Sequence, residues 1–69
     1  MIKVEISKTL QSKIRKGYPW IFKYQVQNQI PEGKQKNLGV VYDHKNRFLA
    51  MGLWDPQSDL CFRVLNLGK

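Results

Sequence analysis

Gly17 and Pro19 close the one stretch of this sequence that has helical periodicity, and so confine any helix to about two turns. Ahead of them, Leu10 and Ile14 recur one turn apart, behind Ser7 and Thr9, either of which can cap a helix start. Gly17 stands where a left-handed residue ends a helix, and Pro19 cannot continue one. The pattern predicts a helix from about Lys8 to Lys16. Elsewhere the period is two. Ile2, Val4 and Ile6 alternate with Lys3, Glu5 and Ser7, which predicts a strand over Ile2–Ile6. Phe22, Tyr24 and Val26 alternate with Lys23, Gln25 and Gln27, which predicts a second strand whose far end is weakened by glutamines. Pro31, Glu32 and Gly33 read as a turn and the stretch from Glu32 to Asn37 as a loop. Strands follow over Leu38–Tyr42, Phe48–Trp54 and Leu60–Leu65, separated by turns at Asp43–Asn46 and Asp55–Ser58. The fold class is therefore mixed α/β, mainly β, with four to six strands and one short N-terminal helix. Strands this short in so small a chain favour a closed or half-closed barrel, which leaves few exposed edges. No repeat, low-complexity tract or domain boundary divides residues 1–69, which read as a single domain.

With 69 residues, such a domain buries only about 60% of its unfolded surface. One core then leaves a margin of roughly 3 to 5 kcal/mol. The single cysteine cannot close an intrachain disulfide, and no His/Cys cluster has the spacing of a metal site. A reducing, cytoplasmic setting is expected. No apolar run approaches the length of a membrane span or a secretory leader, so the expectation is a soluble chain without membrane partners.

Charge gives the first functional signal. Twelve Lys and Arg against five Asp and Glu leave a net +7, with an isoelectric point near 9.9, in the range that invites a nucleic-acid reading. No acidic residue occurs between Glu5 and Glu32, whereas Lys8, Lys13, Arg15, Lys16 and Lys23 all do. With Leu10 and Ile14 turned inward, helical geometry sends Lys8, Ser12, Arg15 and Lys16 to the outer face and Lys13 to its border. The expectation is an unneutralised basic patch, with Trp20 and Phe22 packed beneath Leu10 and Ile14 to hold it outward. Such cations displace counterions from phosphates. A merely solubilising face would intersperse both signs of charge, and this stretch does not.

Lys13-Ile-Arg-Lys-Gly-Tyr-Pro-Trp-Ile-Phe22, Gly39-Val-Val-Tyr-Asp43, Phe48-Leu-Ala-Met-Gly52, Trp54-Asp-Pro-Gln-Ser58 and Phe62-Arg-Val-Leu65 follow one another in the order and spacing of a known pattern. Together they resemble the N-terminal PUA-type domain of bacterial large-subunit (23S) ribosomal RNA (cytosine-C5)-methyltransferases. Tyr18 stands where that family often has histidine, and Asn46 where its turn often has glycine. Asparagine tolerates positive φ best among the other residues, so the turn can survive. The resemblance implies a PUA-like pseudobarrel that binds RNA. It also implies a following catalytic domain, with S-adenosylmethionine binding and a catalytic cysteine, which these 69 residues do not include.

No glycine-rich strand-to-helix turn suits that cofactor here, and none is expected. Cys61, between Leu60 and Phe62, reads as a packed thiol. His44 beside Asp43 could be an oriented base, but without a nearby nucleophile it reads as a solvated turn residue. Trp54 reads as a hydrophobe sealing a barrel end, and Arg63 as an outward residue ion-paired with Asp55 or Asp59. Tyr18 either stacks on an unpaired base or covers the barrel.

These readings converge on a noncatalytic module that helps position structured ribosomal RNA for a methyltransferase domain in cis or in trans. Lys13, Arg15 and Lys16 are the leading RNA contacts, and Lys8, Tyr18, Lys23 and Arg47 are weaker candidates. Two other classes compete: a docking module using Tyr18, Pro19 and Trp20, and a minimal enzyme around Asp43 and His44. Burial separates docking from RNA binding, since an exposed Trp20 would favour docking and a buried Trp20 under an exposed basic helix would favour RNA.

Overall fold

The computed structural model of the protein describes residues 1–30, 33 and 35–68. Among these residues five strands and one helix follow in the order β1 (Ile2–Val4), α1 (Lys8–Arg15), β2 (Trp20–Phe22), β3 (Asn37–Tyr42), β4 (Phe48–Trp54) and β5 (Leu60–Leu67), with a 3₁₀ turn over Lys23–Gln25. The strands form one sheet in the order β1-β3-β4-β5-β2, parallel between β1 and β3 and antiparallel elsewhere. The turn expected at Pro31 and Glu32 lies outside the described residues.

The three strands read between turns stand where expected, and the two read from alternation depart for identifiable reasons. β1 stops at Val4 because the backbone of Glu5 turns to another partner: its N–H donates to Asn28 Oδ1 (2.8 Å) and its carbonyl accepts from the Gln27 N–H (2.8 Å). The second expected strand, carried by Phe22, Tyr24 and Val26, is corrected to a strand three residues long. Gln25 Oε1 accepts the Phe22 N–H at 2.9 Å, and the Val26 N–H donates to the Lys23 carbonyl at 3.2 Å. A side-chain acceptor thus replaces the ladder and curls the chain. Within β2 the inward residue is Ile21, 0% exposed, and strand parity turns Trp20 outward at 46% exposure. Trp20 therefore does not pack under Leu10 and Ile14, and Phe22 is only half-buried.

The core gathers Leu10 and Ile14 of α1 with Val4, Ile6, Ile21, Val41, Leu49, Ala50, Trp54, Cys61 and Phe62. Phe62 is fully buried in it, and two glycines, Gly39 on β3 and Gly52 on β4, make room for its ring. A Cβ on Gly39 would stand 2.7 Å from Phe62 Cε1, and one on Gly52 would strike the backbone carbonyl of Arg63. Trp54 is buried, as a barrel-end seal requires.

The free edge of β1 is covered by the chain that leaves β2. Past the 3₁₀ turn, Gln27 and Asn28 bond to Glu5, and Asn28 Nδ2 donates to the Lys3 carbonyl at 2.8 Å. One edge of the sheet is thus tied to the other by a short chain segment, and the result is a small pseudobarrel.

Candidate nucleic-acid interface

α1 carries most of the candidate residues, and both of its ends are built by local sequence. Ser7 is the N-cap: its Oγ accepts the Leu10 N–H at 3.2 Å, and its carbonyl accepts the Gln11 N–H at 2.9 Å. At the other end Gly17 adopts φ 110°, its N–H donates to the Ile14 carbonyl, and the Tyr18 N–H donates to the Lys13 carbonyl. This paired bonding around a left-handed glycine is a Schellman motif. Lys13 and Arg15 lie in the last turn, where cations complement the helix dipole.

Leu10, Gln11 and Ile14 are buried, so the exposed face is centred on Lys8, Ser12 and Lys16, with Lys13 on one flank and Arg15 on the other. Arg15 faces the turn between β3 and β4. There Asp43, whose side chain is 2% exposed, accepts Arg15 Nη2 at 3.4 Å and Arg47 Nε at 3.0 Å on the same oxygen, Oδ2. Its other oxygen accepts the N–H groups of Lys45 and Arg47, both at 2.9 Å. Those backbone bonds to the carboxylate, opposed by burial and assisted by the Arg47 guanidinium, hold Asp43 below the usual aspartate range. The patch is therefore not free of acid, as it reads in sequence. Asp43 reaches it from 28 positions away and shares the charge of Arg15. Among the described residues Lys8, Lys13 and Lys16 take part in no ion pair.

Asp43 and His44 do not form a catalytic pair. The carboxylate turns to the two arginines, while His44 directs both its N–H and Nδ1 at Gln11 Oε1, at 3.0 and 3.1 Å. Gln11 Nε2 donates to the Ile6 carbonyl at 3.0 Å. This buried amide, which links α1 to the turn, escapes sequence reasoning because it occupies the edge of the apolar arc without being apolar. Asn46 takes φ 62°, the conformation its residue type allows.

The remaining candidates divide. Arg47 joins the helix patch through Asp43. Lys23 does not: it lies beyond β2, with Nζ donating to the Pro56 carbonyl at 3.1 Å. Tyr18 is half-buried against the core and meets the exposed Trp20 edge to face, with ring centroids 6.2 Å apart. Arg63 makes no ion pair with Asp55 or Asp59; it is exposed and stands directly across from Trp20 on β5. Cys61 is fully buried against the Ile21 carbonyl, and burial pushes its thiol up.

A family model for the PUA-like domain matches residues 4–67, nearly the whole of this architecture. The chain belongs to the PUA-like domain family. This PUA-like domain is 45% identical, over 67 residues, to a ribosomal RNA large subunit methyltransferase of Deinococcus radiodurans. It is 32% identical, over 69 residues, to ribosomal RNA large subunit methyltransferase I of Photobacterium profundum. The alignments cover 97% and 96% of this chain but only 16% and 17% of the two methyltransferases. The 69 residues thus make up a PUA-like domain, contain no methyltransferase catalytic domain, and span about one sixth of the length of those relatives. Among the described residues, no helix is long and apolar enough to cross a membrane.

Proposed function

We propose that this PUA-like domain is a noncatalytic, cytoplasmic RNA-binding module that helps position structured ribosomal RNA for a SAM-dependent methyltransferase domain, in cis or in trans. The observation that carries this reading is the outer face of α1. Lys8, Lys13 and Lys16 lie there without ion-pair partners among the described residues, and Asp43 fixes the guanidiniums of Arg15 and Arg47 beside them. One carboxylate between two arginines leaves that pair with a net positive charge and restricts both side chains before any phosphate arrives. Structured RNA offers phosphates and shape to such a surface, because its major groove is too narrow to admit side chains.

A salt titration of binding to a structured ribosomal RNA fragment tests this, comparing the chain with a variant in which Lys13, Arg15 and Lys16 are all alanine. Three lost phosphate contacts should lower the slope of log K against log salt by about 2 to 3. A slope that stays unchanged, in a variant whose circular dichroism matches the parent, removes the helix from the interface. Affinity for the isolated domain is expected to be weak, since a tethered catalytic domain would raise its effective concentration.

One observation favours a second reading. Trp20 is exposed, which on the burial criterion counts toward a docking module built on Tyr18, Pro19 and Trp20. The β2 residue that joins the core is Ile21, so Trp20 stands outside it.

A further inference from the structure

The edge of the sheet at β2 carries a feature that the basic helix does not account for. Two contacting aromatic pairs follow one another along it: Tyr18 with Trp20, edge to face, and Phe22 with Tyr24, stacked, with ring centroids 6.2 Å apart and planes inclined by 27°. Trp20 is 46% exposed and Tyr24 84%, in a domain small enough to need apolar surface inside. Cations are interleaved with the rings. Arg63 sits opposite Trp20 in the β2–β5 register, and Lys23 lies between Phe22 and Tyr24 in the chain. Phe22, Lys23, Tyr24 and Asp59 line a shallow groove at the far end.

We infer that this edge is a stacking platform for unpaired RNA bases, with Trp20 and Tyr24 as its principal surfaces and Arg63 and Lys23 as its backbone contacts. The inference rests on the RNA reading above and adds the class of RNA. Exposed rings beside cations bind single strands because every base has a π face and every linkage a charge. Asp59 repels a phosphate within the groove, so the groove takes a base, and the backbone falls to Arg63 and to Lys23, whose Nζ is held at the Pro56 carbonyl. The platform begins where α1 ends, since only Gly17, Tyr18 and Pro19 separate the Lys16 cap from Trp20. A substrate that satisfies both surfaces has a paired stem for the helix and unpaired nucleotides beside it, in a loop or bulge. Structured RNA exposes its bases at such places.

The test uses the 69-residue chain with two probes, a hairpin bearing an unpaired loop and a blunt duplex of the same stem. It compares the parent with Trp20→Leu, Tyr24→Leu and Trp20→Phe, each checked for fold by circular dichroism. Trp54 is buried, so fluorescence quenching by a stacked base reports chiefly on Trp20. Expected are quenching by the hairpin and a loss of hairpin affinity of roughly 5- to 150-fold in each leucine variant. Trp20→Phe should recover part of that loss, and duplex affinity and the salt slope should not change. Hairpin affinity that is insensitive to both leucine variants, with a steep salt slope retained, overturns the platform and leaves the phosphate reading standing. Absence of binding to either probe at low salt overturns both. If sedimentation shows self-association that Trp20→Leu abolishes, while RNA affinity stays unchanged, the edge is a protein interface instead.

Discussion

Asp43 shows how one side chain can organise a surface it hardly contributes to. Its carboxylate is buried, accepts two backbone N–H groups of its own turn and draws together two arginines from different elements. Its folded pKa is lowered, so the stabilisation it gives is fully present above the unfolded aspartate value of about 3.9 and is lost as pH falls through the folded one. Asp43→Asn keeps the shape and one acceptor oxygen but removes the charge. The variant is expected to unfold at lower urea than the parent at pH 7, and the gap should close as both are titrated below pH 4. A gap independent of pH would mean that the charge is not what Asp43 contributes. Nothing local in the sequence marks this residue as a partner of Arg15, because the contact spans 28 positions. The sequence does show that Asp43 opens a turn, and Asn46, with its tolerated positive φ, was readable there from residue type alone.

At the level of elements, α1 and β2 mark the two extremes of legibility. The helix is specified by residues within or next to it: Ser7 at the start, Leu10 and Ile14 along the buried face, Gly17 at the end. Ser7→Ala removes the only side-chain cap at the N-terminus and should cost about 1 kcal/mol, measured by chemical denaturation. Thr9, which sequence alone leaves as an alternative cap, lies inside the helix, so a loss at Thr9→Ala as large as that at Ser7→Ala would contradict the assignment. β2 is different, because its alternation of Phe22, Tyr24 and Val26 is genuine yet is overridden. A single glutamine oxygen within hydrogen-bond reach of the Phe22 N–H turns the chain, and Ile21 then takes the inward place. Period-two patterns decide which residues share a face only while the strand lasts.

For the molecule as a whole, the decisive contacts are those that tie the two ends of the sheet order together. Asn28 does this with two hydrogen bonds to the edge of β1, at Glu5 and Lys3, from a segment that follows β2. Asn28→Ala should lower stability by about 1 kcal/mol, since water can replace part of what is lost at so exposed a site. Its sharper signature is local: amide exchange at Glu5 should accelerate, while the amides of β4 stay protected. Uniform acceleration would show that the clamp is no separate element of the fold. Charge also belongs to this scale, because seven net positive charges on so small a body act over its whole surface and make any RNA affinity strongly salt-dependent.

By itself, the sequence determined the helix and its limits, three of the five strands, the mainly β class, the net charge and the motif order that marks a PUA-like domain. All of these depend on residues close together in the chain or on totals over it. Tertiary structure alone decided that Trp20 faces outward, that Arg15 and Arg47 share one buried carboxylate, that Arg63 stands across from an aromatic ring with no ion-pair partner among the described residues, and that Asn28 closes the barrel. The physical reason is common to all four. Each depends on a meeting of segments far apart in the chain, and such a meeting is settled by the packing of the whole core around Phe62 rather than by either segment alone.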